Sequence, residues 1–366
     1  MTLPSLKLGP IQLSNPLIMA PMTTYSSNLD FTFSKEELNY YEMRARGLGC
    51  IITAATAVSN QAQAFPLQVS LKDDSYIDSH RDLVQRVHAQ GAKIMVQLHH
   101  GGRMNFPELH TDVSNIVSAS AIAANRPNLV TPRALSEAEV EGIIDDFVAA
   151  LKRAIKAGYD GAELHGANTY LLQQFFSPHS NRRSDKFGGS LDKRMTFAKV
   201  LIERCHHEIY KADVPFALGY RFSPEEIEDP GITLDDTQAL ISLLKTLPLD
   251  FLHVSLGHYA QTSSRNQSDT RLIVDVIQEA LEHHIPLIGV GQIKTLSDIS
   301  SALSLGYDAV AVGMAIIADP HWATHVLQGT DPRRVVDGES FLPTPLFQRL
   351  SNNKPWFERN GYQFTE

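Results

Sequence analysis

Short apolar runs and longer amphipathic ones alternate eight times along the chain. The apolar runs fall at 16–23, 50–58, 93–99, 161–166, 216–221, 251–257, 286–293 and 309–314, each the length of a buried strand. Helix-period segments follow them at 34–47, 78–90, 136–157, 190–209, 234–247, 270–284, 295–305 and 319–328. The clearest is 136–157, where Ser136 and Glu139 make a capping box and Val140, Ile143, Ile144, Phe147, Val148, Leu151 and Ile155 form one stripe. Gly47, Gly91, Gly158 and Gly306 stand where a helix must give way to the next strand. Eight β-then-α units predict a single-domain α/β chain folded as a (β/α)8 TIM barrel, with residues from about 330 to 366 outside the repeat. A doubly wound open sheet would want a glycine-rich turn after the first strand. The turn here reads APMTTYSS, and the GVGQIK of 289–294 comes at the seventh strand without a third glycine. Two connections are long, 99–135 after strand three and 166–189 after strand four, which predicts working loops.

Composition narrows the picture. The 366 residues are 43% hydrophobic and 20% charged, and no apolar run reaches the roughly 18 residues that span a bilayer. The N-terminal stretch lacks a basic region followed by an apolar one, so no signal peptide is expected. Two cysteines give neither a disulfide framework nor a zinc spacing and fit a reducing cytoplasm. A net charge of −9 disfavours nucleic acid or an anionic membrane as partner. The expected partners are small molecules, with a homo-oligomer left open. The histidine pairs 99–100, 206–207 and 283–284 are adjacent in sequence and point apart, so no metal site is expected. No Ser-His-Asp pattern, nucleophilic cysteine or inner-strand lysine stands out.

In such a barrel the chemistry sits at the C-terminal strand ends, which sorts the candidates by position. Gly291 and Gly313, just before helices at strands seven and eight, read either as simple strand punctuation or as a phosphate cradle of backbone N–H groups. Strand parity points Met95, Gln97, Glu163, Gly219 and Arg221 inward. A buried arginine needs an acceptor, so Arg221 is expected to pair with Glu163, to face an electron-rich ligand edge, or both. His165 closes strand four and Asn168 follows about one helical turn later, so both can aim donors at one oxygen. Tyr170 offers a proton from a weak acid. The plainer alternative for all three is a set of satisfied polar residues at a strand end.

Several stretches, in order and at matching spacing, resemble the old yellow enzyme family of FMN-dependent ene-reductases. They are NPLIMAPMTTYSS, AATAV, VQLHHGGR, SNRRSDKFGGSLDKR and LPTPLF, and the likeness covers nearly the whole chain. The resemblance implies bound FMN, with NADH or NADPH as co-substrate. It implies that Ala20, Pro21, Met22 and Thr23 line the flavin and that Ala55, Gln97 and Arg221 contact its ring. Gly291, Gly313 and the following Met314 would meet its phosphate. His165 and Asn168 would bind a substrate carbonyl oxygen, Tyr170 would protonate the substrate, and Tyr25 would line the pocket. The implied activity is NAD(P)H-driven reduction of the activated C=C bond of α,β-unsaturated carbonyl or nitro compounds. Quinone or nitro-compound reduction, or a flavin-poor barrel serving as a binding protein, are the alternatives. Two departures stand out. Met314 occupies the place of a phosphate-binding arginine, a loss worth about 1.5–3 kcal/mol. Thr23 stands where one branch of the family carries a redox-sensing cysteine.

Overall fold

A computed structural model describes residues 3–365. Eight parallel strands close into a barrel: β1 (Leu17–Met19), β2 (Cys50–Ala57), β3 (Lys93–His99), β4 (Gly161–Gly166), β5 (Ala217–Phe222), β6 (Phe251–Val254), β7 (Leu287–Val290) and β8 (Ala309–Val312). Each pairs with its neighbours in sequence, and β8 pairs with β1 to close the ring. The expected (β/α)8 barrel is therefore the observed fold.

Eight helices alternate with these strands: α1 (Lys35–Ala45), α2 (Ile77–Ala89), α3 (Glu137–Ala157), α4 (Thr196–Ala212), α5 (Leu234–Leu244), α6 (Ile273–Leu281), α7 (Leu296–Ser304) and α8 (Trp322–Gln328). The α3 capping box is formed: Ser136 Oγ accepts from Glu139 N at 3.3 Å, and Ser136 N donates to Glu139 Oε2 at 2.8 Å. Gly158 ends the helix at φ 92°, a conformation that favours glycine. Val140, Ile143, Ile144, Phe147 and Leu151 are buried from one face of α3. The segment expected as one helix at 190–209 is two, because Leu191–Arg194 stops before α4 begins.

The interior of the barrel is divided in two. Its lower part is apolar, with Ile18, Cys50, Ile52, Met95, Ala217, Phe251, Ile288 and Ala309 in one buried cluster. Leu8, Ile11 and Leu13 join that cluster from an N-terminal hairpin, Leu6–Leu8 against Ile11–Leu13, which plugs the bottom. The hairpin has no counterpart in the sequence reading, since three-residue strands are too short to show a period. Gly219 makes room inside: a Cβ there would sit 2.1 Å from the Phe251 ring.

Both long loops lie at the top of the barrel and are tied to each other. Arg183 Nη1 donates to Ala119 O at 3.0 Å and also to Leu135 O, while its guanidinium pairs with Asp185. Asn181 Nδ2 donates to Phe175 O at 2.6 Å and Phe187 O at 2.7 Å. The polar stretch 180–194 thus acts as internal strutting, satisfying backbone carbonyls that an apolar loop would leave unpaired. Residues beyond α8 add the helices α9 (Thr344–Ser351) and α10 (Lys354–Arg359) outside the barrel ring. No helix among the described residues is long and apolar enough to cross a membrane.

Candidate functional site

Above the apolar plug the inward side chains turn polar. Glu163 on β4 is fully buried and accepts from Gln97 Nε2 on β3 at 2.7 Å and from His253 Nδ1 on β6 at 2.7 Å. Burial alone would raise the Glu163 pKa, but His253, the Arg221 guanidinium and the Gln97 donor hold it below the ordinary carboxylate range. Burial also lowers His253. The pair is therefore a neutral imidazole donating to a carboxylate.

Parity had placed Gln97, Glu163 and Arg221 inside, and all three are buried there. The expected direct pairing of Glu163 with Arg221 is not formed. Glu163 spends its oxygens on Gln97 and His253, and Arg221 Nη2 instead donates to Ser255 Oγ at 3.1 Å. Arg221 Nε is buried with no hydrogen-bond partner among the described residues. A guanidinium kept charged by a nearby carboxylate, with one donor unspent, is prepared for an acceptor from outside the chain.

Ser255 also fixes the orientation of Asn168. Arginine can only donate, so the Ser255 oxygen accepts from Arg221 and its own proton goes to Asn168 Oδ1 at 2.8 Å. The amide of Asn168 must then turn its Nδ2 donor the other way. Asn168 does not lie one helical turn beyond His165, as the spacing had suggested. It sits in a left-handed turn with Thr169 (φ 58° and 69°), before the short helix Leu171–Phe176 begins. Asparagine tolerates this backbone better than most residues.

His165 pairs in register with Arg221 across β4 and β5. Burial drives its pKa well below the usual value, helped by His99 and Arg221, so the ring is neutral; its Nδ1 has no partner among the described residues. Tyr170 lies 5.1 Å from the His165 ring and 4.4 Å from that of His99. Burial, with Tyr25, raises its pKa above the ordinary phenol value, so it keeps its proton at neutral pH. Phe65 bridges Tyr170 and Tyr25, at 5.8 Å from each, and the Arg349 guanidinium covers the other aromatic, Tyr25, at 4.0 Å.

Beside this group lies a cavity of about 780 Å³. Its walls include Ala20, Pro21, Met22, Thr23 and Tyr25 after β1, Arg221 at the base, Gly291 after β7, and Gly313 and Met314 after β8. Ala55 and Gln97 are buried partners in the β2–β3 register, and Ala55 follows a bulge in β2. His165, Asn168 and Tyr170 do not form its wall: Asn168 is linked to Arg221 through Ser255, His165 is the register partner of Arg221, and Tyr170 packs on His165. Gly291 adopts φ 114°, and a Cβ there would meet the His258 backbone nitrogen at 2.7 Å. Two parts of the arrangement escaped the sequence reading. Leu346, Arg349, Trp356, Asn360 and Tyr362 from the C-terminal segment form one wall of the cavity. Gln68 donates to Ala55 O at 2.9 Å and contacts His99 Nδ1 at 3.1 Å. Neither lies at the end of a barrel strand.

Known proteins share this architecture. Residues 4–332 match the NADH:flavin oxidoreductase / NADH oxidase family. A probable NADH-dependent flavin oxidoreductase, YqiG of Bacillus subtilis, is 38% identical over 353 residues, 94% of each chain. The NADH:acrylate oxidoreductase of Vibrio harveyi is 40% identical over 348 residues, which cover 92% of this chain but 34% of that much longer protein. The structure of the old yellow enzyme homologue from Zymomonas mobilis superposes with a TM-score of 0.80 at 25% identity, covering 94% of this chain and 97% of the other.

Proposed function

The chain belongs to the NADH:flavin oxidoreductase / NADH oxidase family and is an NAD(P)H-dependent, FMN-binding oxidoreductase of the old yellow enzyme type; on that premise we propose that it reduces activated C=C bonds with Tyr170 as the proton donor. The residues fit the flavin. The cavity has the volume of a small-ligand site. The unspent Arg221 Nε offers a charged donor to an electron-rich ring edge, and Gly291 and Gly313 line the cavity with backbone that carries no side chain, a surface suited to a phosphate. When bound, FMN supplies the hydride that it takes from NADH or NADPH.

The chain's own residues do the rest. His165 and the Nδ2 of Asn168 hold the substrate's carbonyl or nitro oxygen, where negative charge gathers during reduction. Neutral His165 donates a hydrogen bond without giving up a full proton. Ser255 keeps the Asn168 donor aimed, and Arg221 keeps Ser255 aimed. As the β-carbon gains a hydride, Tyr170 gives its proton to the α-carbon, so H⁻ and H⁺ together saturate the bond. The tyrosinate left behind recovers its proton from water. Thr23, lining the cavity, offers a hydroxyl rather than a thiol to the flavin edge. Tyr25, held by Phe65 and Arg349, forms the apolar side of the substrate pocket. Nicotinamide and alkene would occupy this pocket in turn.

The observation that carries this reading is the neutral, protonated Tyr170 packed against neutral His165, next to a buried arginine with a free donor. Tyr170→Phe tests it by rapid mixing. Flavin reduction by NAD(P)H should keep its rate, while reoxidation by 2-cyclohexenone slows by about 10²–10⁴-fold, the usual contribution of a positioned acid. Equal slowing of both half-reactions would remove Tyr170 from the role.

A further inference from the structure

The end of the cavity between β7 and β8 presents backbone but no charge from β8 itself. Gly291 and Gln292 take consecutive left-handed conformations (φ 114° and 56°), and the residue after Gly313 is Met314, which packs on the hydrophobic core. Three cationic side chains line the cavity among the described residues: Arg221, Lys294 and Arg349. Arg221 sits at the base near Glu163, and Arg349 lies over the Tyr25 ring. Lys294 remains, four residues beyond the end of β7.

Lys294 is fixed in place by its backbone. Its N–H donates to Asp298 Oδ2 at 3.0 Å, and its carbonyl accepts from Trp322 Nε1 at 2.8 Å. Its ammonium donates to Asn360 O at 2.7 Å, drawing it against the C-terminal wall, and Gln292 Nε2 donates to Asn360 Oδ1. The ammonium also lies over the Tyr362 ring, 5.7 Å from its centroid, a looser contact than the 4.0 Å of Arg349 over Tyr25; of its three donors the Asn360 contact uses one. Partial burial and the neighbouring Arg334 guanidinium push the Lys294 pKa below the usual lysine range, against a pull from Asp298. Of these two like charges only Lys294 lines the cavity, and an anion held there would offset the repulsion it feels.

We infer that Lys294 supplies the positive charge that holds the flavin phosphate, and that the C-terminal segment around Asn360 completes this pocket in place of a cation on β8. The inference rests on the FMN reading above and assigns the phosphate's partner within it. This wall lies after residue 332, where the family match ends.

Riboflavin, which lacks the phosphate, separates the two ideas. Apoprotein of full length is titrated with FMN and with riboflavin, following quenching of flavin fluorescence, and no turnover is required. In Lys294→Met the affinity for FMN should fall on the order of tenfold to a hundredfold, while riboflavin affinity stays the same. Lys294→Gln keeps a donor for Asn360 O but not the charge and should lose nearly as much; Lys294→Arg should retain most of it. Adding Met314→Arg to Lys294→Met should restore FMN binding. An unchanged FMN-to-riboflavin ratio in Lys294→Gln, with the melting curve of wild type, overturns the assignment and leaves the FMN reading standing. A wild type that binds neither flavin overturns both.

Discussion

The two ends of the barrel interior are built from the same eight strands and have opposite chemistry. Below, the hairpin and the strands pack Leu8, Ile11, Leu13, Ile52, Met95 and Phe251 with no polar side chain among them. Above, Gln97, Glu163, His165, Arg221 and His253 are also buried, and His165 Nδ1, Arg221 Nε and His253 Nε2 have no hydrogen-bond partner among the described residues. Unsatisfied buried donors and acceptors destabilise a fold. The upper layer tolerates them because strand geometry is already fixed by the apolar layer beneath and the helices outside. Stability is concentrated at one end, leaving the other free to keep groups poised for a ligand.

That contrast can be broken from below. Phe251→Ala removes a ring at the centre of the apolar layer and should cost about 3–5 kcal/mol of stability, measured by denaturant unfolding. The flavin affinity of the fraction still folded should stay close to wild type. A large loss of affinity without a loss of stability would show that the two layers are not separate.

Acid should act mainly on the upper part and its flanks. Burial lowers the pKa of His99 and His100 to about 3 each, and that of His80 to about 4. Unfolded histidine titrates near 6.5, so the unfolded chain binds more protons between those values. The stability these groups contribute is present above 6.5 and is lost as pH falls through the folded pKa values. Glu37, buried and raised to about 8, has the opposite sign: its contribution is present below its unfolded value of 4.5 and is lost as pH rises through 8. The melting temperature should therefore peak near pH 6.5 and fall steadily toward pH 4. Glu37→Gln should flatten the shallower decline between pH 6.5 and 8. A melting temperature flat from pH 6.5 to 4 would mean these imidazoles are not buried neutral.

The barrel was legible in the sequence because eight strand-helix alternations leave few other ways to bury so many apolar runs. The inward parity of Gln97, Glu163 and Arg221 was legible for the same reason, since a strand's two faces alternate strictly. The partners chosen by those residues were not. Whether Glu163 meets Arg221 or His253 depends on strand stagger around the ring, which no local pattern encodes. Asn168 was read with a helical spacing, but its left-handed turn is set by the start of the Leu171 helix and by Ser223 Oγ, which accepts from its N–H at 2.9 Å. Ser255 and Gln68 act through neighbours distant in sequence. The C-terminal wall lies outside the strand–helix repeat, so LPTPLF, which contains Leu346, was legible as a family-like stretch but not as part of the site.

The proposed role of the polar end of this barrel is to turn NAD(P)H into a reductant for activated alkenes. Its most direct test is a two-step anaerobic mixing experiment on the FMN-loaded wild type. NADH or NADPH should bleach the flavin absorption, and a later addition of 2-cyclohexenone or a nitroalkene should restore it with formation of the saturated product. A flavin that is reduced, stays bleached with every alkene and is reoxidised by a quinone would contradict the account.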